Sequence, residues 1–135
     1  MDDSTTSPET VLLRFDDPER SRALILEDDG RVAYAYLLED ERIVSDVWLY
    51  NVANTPSSVD WKDRSAMPFL NPEGMVRNET FTRLTPCAAI ECKWLTDTVE
   101  VSIGGVLMAR LAPGARPGWS RLASRRGPLA IPLES

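Results

Sequence analysis

Apolar and polar positions fall in blocks along this chain, and the clearest block runs from Ser21 to Tyr50. Three apolar runs there are divided by two short acidic breaks, Asp28-Asp29-Gly30 and Glu39-Asp40-Glu41. Runs of strand length, rich in β-branched and aromatic residues and bounded by turn formers, predict a three-stranded antiparallel meander. Asp29-Gly30 suits a two-residue hairpin loop, because both central residues need positive φ. That loop sets Glu27 opposite Val32, Ile25 opposite Tyr34 and Ala23 opposite Tyr36. A two- or four-residue second loop sets Leu38 opposite Ile43, Tyr36 opposite Ser45 and Tyr34 opposite Val47.

One face of the meander then holds Ile25, Val32, Tyr34, Tyr36, Leu38, Ile43, Val47 and Leu49. The other holds Leu24, Leu26, Ala33, Ala35, Leu37, Val44, Trp48 and Tyr50. Both faces are apolar, so both require cover. A three-residue second loop transfers Trp48 and the rest of its strand to the opposite face, since side chains alternate with a period of two.

The pattern continues on either side. Thr10 to Phe15 reads as a first strand, and Asp16-Asp17-Pro18-Glu19-Arg20 as a turn or a single helical turn. Ala88 to Trp94 alternates, with Ala88, Ile90, Cys92 and Trp94 on one face and Glu91 and Lys93 on the other. Val99, Val101 and Ile103 alternate with Glu100 and Ser102, Gly104-Gly105 makes a tight turn, and Val106 to Leu111 returns. This is a second meander with one wet face. Trp119 to Ser124 and Leu129 to Ile131 are candidate short final strands. The expected fold is mainly β with little helix: two meanders in an antiparallel sandwich or one curled, barrel-like sheet. A single domain over residues 10–135 is expected, behind a disordered polar tail at 1–9.

Between the meanders, residues 51–78 hold three of the ten prolines together with Trp61, Met67, Phe69, Leu70 and Met75. Proline disfavours regular structure here, while the apolar side chains resist full solvation. The segment reads as a long loop across one sheet face, with a short helix near Val59 to Ala66, or else as a disordered excursion.

Composition removes many chemistries. The chain has no histidine, which excludes histidine-based triads and zinc sites and removes the commonest general base. Two cysteines, Cys87 and Cys92, are too few for a cysteine-only zinc site. In an extended strand they stand too far apart to bond, so they read as reduced structural thiols. No phosphate-binding glycine loop or nucleophile elbow occurs, and the expectation is a non-enzymatic protein without metal or cofactor. The acidic N-terminus does not resemble a secretory leader and no apolar run is long enough to span a bilayer, so a cytoplasmic protein without membrane attachment is expected.

Charge is distributed unevenly. Residues 1–60 carry a net −9, residues 61–100 a net −1 and residues 101–135 a net +4, within a total of −6. An up-and-down sheet gathers Asp16, Asp17, Glu19, Glu39, Asp40 and Glu41 at one end. Those carboxylates form a candidate docking patch for a basic protein partner, of inhibitor, immunity or accessory type, in which charge complementarity speeds association. They are also ordinary turn residues, some of them within reach of the tail arginines. The acidic balance opposes nucleic-acid binding, which depends on neutralising phosphates. A second candidate site is an aromatic pocket for a small molecule, made of Tyr34, Tyr36, Trp48, Trp61 and Phe69 and closed by the 51–78 loop. The same rings are equally the material of a filled core.

Overall fold

The computed structural model describes residues 10–53, 57–58, 60–63 and 68–133; the expected tail at 1–9 lies outside them. Nine strands form two sheets, with no helix among the described residues. The first sheet is a meander of β1 (Val11–Asp16), β2 (Arg22–Asp28), β3 (Val32–Glu39) and β4 (Arg42–Asn51) in that order. The second contains β5 (Ile90–Trp94), β6 (Val99–Ile103), β7 (Val106–Leu111), β8 (Trp119–Ser120) and β9 (Ile131–Pro132), again in sequence order. Every pairing is antiparallel except β8 with β9, which is parallel. The sheets do not close into a barrel, so the arrangement is sandwich-like. Of the expected helix at 59–66, the described residues 60–63 form only a turn, closed by Asp63 N–H donating to the Asp60 carbonyl at 3.0 Å.

Two registers differ from expectation. In the first hairpin Glu27 faces Tyr34, Ile25 faces Tyr36 and Ala23 faces Leu38. The loop is centred on Gly30-Arg31, with Gly30 at φ 88°. The shift arises because the Asp29 carboxylate accepts from the N–H groups of Arg31 (2.8 Å) and Val32 (2.9 Å). Asp29 therefore caps the loop instead of occupying its centre. The shift is two residues, so the faces are unchanged.

The second hairpin turns at Asp40 (φ 51°) and Glu41 (φ 65°), the positive-φ pair of a two-residue loop. Leu38 pairs with Ile43 as expected, but bulges leave Val44 and Leu49 without partners. Between the bulges every residue of β4 changes face: Asp46 lies opposite Tyr36, Val47 opposite Ala35 and Trp48 opposite Tyr34. Trp48 thus joins the tyrosine face and Val47 the alanine face, the reverse of the regular-ladder assignment.

One hydrophobic core unites the sheets. Leu24, Leu26, Ala33, Ala35, Leu37 and Val47 pack with Val99, Val101, Ile103, Ala109 and Leu111, all fully buried. The alanines of β3 leave room for this close approach. The edge of β4 is covered by the C-terminal segment. Gly114 and Gly118 donate to the carbonyls of Val44 and Asp46, at 2.8 and 2.7 Å, and Trp48 N–H donates to the Leu129 carbonyl at 2.9 Å. A Cβ at Gly118 would stand 2.6 Å from the Arg110 carbonyl oxygen, between β4 and β7. Gly118→Ala should therefore destabilise the fold by about 2 kcal/mol in urea denaturation, through overpacking against rigid backbone. An unchanged midpoint would mean that the seam between the sheets is loose.

Candidate functional site

The tyrosine face of the first sheet carries a cavity of about 350 Å³, lined by Tyr34, Tyr36, Asp46, Trp61, Pro68, Phe69, Pro128 and Leu129. Its floor comes from β3, where Tyr34 and Tyr36 stand two residues apart with ring centroids separated by 6.1 Å. One wall is the strap at residues 68–71, laid across the sheet by side chains from three places. Arg31 donates to the Pro68 carbonyl, and the Tyr34 hydroxyl donates to the Phe69 carbonyl at 2.8 Å. Asn51 exchanges two hydrogen bonds with the backbone of Asn71, at 2.8 and 3.0 Å. Trp61 meets Phe69 edge to face at 5.2 Å and is itself 37% exposed. The opposite wall is Pro128 and Leu129, which arrive with the segment bonded to the edge of β4.

Four of the five expected pocket residues line this cavity. Trp48 does not: it is fully buried, and its Nε1–H donates to Asn51 Oδ1 at 2.8 Å. Its part is to orient Asn51, and through Asn51 the strap. Asp46 is a lining residue that sequence reasoning passed over, because a regular ladder puts Ser45 opposite Tyr36 and the bulge at Val44 substitutes Asp46.

Burial pushes the Asp46 carboxyl above the usual carboxylate range, opposed only by Arg116. The nearest guanidinium nitrogen, Arg116 Nε, is 4.0 Å away. Burial likewise pushes the Tyr36 phenol up to about 12, with further contributions from the negative charges of Glu27, Asp46 and Asp29. Tyr34 is raised for the same first reason, so both rings are neutral phenols throughout the physiological range.

The six expected docking carboxylates do lie toward one end of the first sheet, since Asp16 pairs with Ala23 and Arg22 and Arg42 both pair with Glu39. Three of them are engaged internally. Arg14 grips Glu41 through two hydrogen bonds, at 2.6 and 3.0 Å, and also meets Asp16. Asp17 is buried rather than presented to solvent, and its carboxylate is paired with Arg22 at 2.8 Å. The Glu19 backbone N–H bonded to Asp17, together with Arg22, holds that carboxyl below the usual range against the effect of burial. Arg22 lies over the Trp94 ring at 5.0 Å and donates to the Leu95 carbonyl at 2.8 Å. Asp17 and Arg22 therefore belong to the clamp joining the two sheets. Glu19, Glu39 and Asp40 form no ion pair among the described residues.

The positive tail is also partly neutralised within the fold, Arg110 by Glu100 and Arg121 by Glu79, each within 2.8 Å. Cys87 and Cys92 are free thiols, and burial pushes Cys92 up to about 11. Among the described residues no cluster of acidic or cysteine side chains is arranged to hold a metal, and no helix is long and apolar enough to cross a membrane. No protein-family model matches the chain, and neither the curated proteins nor the solved structures include a significant match.

Proposed function

We propose that this two-sheet β protein is a non-enzymatic binding protein whose site is the aromatic cavity over β3. The observation that carries this reading is the cavity of about 350 Å³ between Tyr34, Tyr36, Trp61 and Phe69. Its volume falls in the range of small-molecule pockets, and its lining is mostly apolar with a single charged group, as such pockets commonly are. Side chains from β3, β4 and the first hairpin loop hold the strap in place. The site is thus preformed, and a ligand need not order it on binding.

The neutral fluorescent probe N-phenyl-1-naphthylamine should bind saturably at one site. Trp61→Ala should weaken that binding by about tenfold, the loss of a large aromatic contact. Because Trp61 is partly exposed, the melting temperature should stay within about one degree of the parent's. Non-saturable uptake, or equal affinity in the variant, would discard the reading.

A second reading, a docking patch for a basic protein partner, is supported by Glu19, Glu39 and Asp40, whose charge is not balanced by an ion pair among the described residues. It is the weaker of the two, because Arg14 and Arg22 neutralise the other half of the patch. Such a partner would be released by salt.

A further inference from the structure

We infer that the aromatic cavity takes an organic cation, an alkylammonium group seated on the tyrosine rings and facing Asp46. The inference rests on the binding-site reading above and adds the ligand's chemical class. Eight side chains line the cavity, and Asp46 is the only charged one among them. The others are four aromatics, two prolines and a leucine, which offer apolar surface and four π systems but no cationic group. A cavity of this composition disfavours a carboxylate or phosphate, which would meet Asp46 with no cationic side chain in the lining to offset the repulsion.

The carboxylate itself is under-partnered. Asp46 accepts no side-chain hydrogen bond among the described residues, and its one ion-pair contact is Arg116 Nε at 4.0 Å. Arg116 is half-exposed and donates to the Ile43 carbonyl, so its guanidinium is held elsewhere and is screened by water. The Asp46 side chain is 35% exposed, and a half-buried carboxylate without close partners is stabilised by a cation brought to it.

The rings contribute the second half of recognition. Tyr36 faces Asp46 across the β3–β4 ladder and stacks beside Tyr34, so the carboxylate shares the cavity with two neighbouring rings. Cations are attracted to such faces within about 6 Å of the ring centroid, and the attraction grows as water is excluded. Glu27 and Asp29 add to the negative field at Tyr36. A quaternary or methylated ammonium suits this surface better than a primary one. Its methyl groups bury against aromatic carbon, and it needs no hydrogen-bond acceptors beyond the one carboxylate.

Choline and its neutral isostere 3,3-dimethylbutan-1-ol make the decisive pair of probes. They share a shape and differ in charge. On the 135-residue chain, choline should displace N-phenyl-1-naphthylamine from the cavity at least about tenfold more effectively than the isostere. Asp46→Asn should remove that preference, while the neutral probe still binds saturably. A peptide bearing trimethyllysine distinguishes the sources of the cation: tighter binding than choline assigns the group to a protein chain, weaker binding to a free metabolite, and either supports the class. Equal displacement by choline and the isostere, or a preference that survives Asp46→Asn, would overturn the inference. So would failure of choline to displace the probe at all. In each of these cases a saturable neutral probe leaves the binding-site reading standing, so the two claims fail separately.

Discussion

Replacing Asp28 with asparagine is expected to cost about 3 kcal/mol of stability at pH 7, and the difference should narrow as the pH falls below about 4. Asp28 is fully buried at the end of β2, where its carboxylate gathers four donors. The Tyr50 hydroxyl donates at 2.7 Å, Arg83 Nε and Nη2 at 2.8 and 3.2 Å, and the Gly30 N–H at 2.8 Å. Tyr50 in turn accepts from the Leu84 N–H at 2.8 Å. One carboxylate thereby fastens the irregular segment around residues 83–84 to the first hairpin. An amide of the same shape presents two hydrogens to a cluster made entirely of donors. Breaking a buried ion pair costs about 3–5 kcal/mol, and the half-exposed Arg83 places this case at the lower end.

Burial alone would raise the Asp28 carboxyl, but Arg83, Tyr50 and the Gly30 N–H outweigh it and hold the group below its ordinary value. A carboxyl depressed in the folded state contributes stability that is present above its unfolded value near 4 and is lost as pH falls through the folded value. The parent should therefore approach the variant in acid. Chemical denaturation of both proteins at several pH values between 7 and 3 reads the difference directly, and a constant difference over that range would show that the charge of Asp28 contributes little.

Asn51→Ala is expected to cost about 3 kcal/mol and to weaken uptake of the neutral probe by at least about tenfold. The Asn51 side chain accepts from Trp48 Nε1–H and from the Asn71 N–H, and it donates to the Asn71 carbonyl. Trp48 is fully buried and Asn71 is 2% exposed, so alanine strands polar groups that water reaches poorly. Unsatisfied buried groups cost about 1–3 kcal/mol each. The same contacts hold the strap that forms one wall of the cavity, so stability and binding should fall together. Trp61→Ala should affect binding alone. Hydrogen exchange at the Asn71 amide follows the strap directly; protection equal to the parent's would show that Arg31 and Tyr34 hold it without Asn51.

The two candidate sites were not equally readable from the chain. The acidic end of the sheet followed from strand alternation, because an up-and-down meander returns alternate turns to one end. Its internal neutralisation did not follow, since Arg14 reaches Glu41 across 27 residues and Arg22, the partner of Asp17, is held by contacts with Trp94 and Leu95 far along the chain. Tyr34, Tyr36, Trp61 and Phe69 were legible as a possible pocket because a sheet apolar on both faces needs a cover, and an apolar, proline-rich loop supplies one. A regular ladder puts Trp48 on the alanine face and Ser45 opposite Tyr36, which leaves Asp46 out of the site. A bulge at Val44 is specified by packing against the C-terminal segment, which bonds the carbonyls of Val44 and Asp46. No local residue preference announces it.

Strand existence, hairpin order and the wet outer face of the second sheet were all present in the sequence by itself. Those features depend on side-chain alternation and turn chemistry acting over a few neighbouring residues. Only the tertiary structure decided that the sheets pack as a sandwich, which carboxylates are consumed by arginines, and that Asp46 and Trp48 both turn to the tyrosine face, where Asp46 lines the cavity and Trp48 is fully buried. Those outcomes depend on which distant segment occupies the β4 edge and how one inserted residue there turns the following side chains over. Such choices are made by whole-molecule packing, where contacts far apart in the chain compete for the same space.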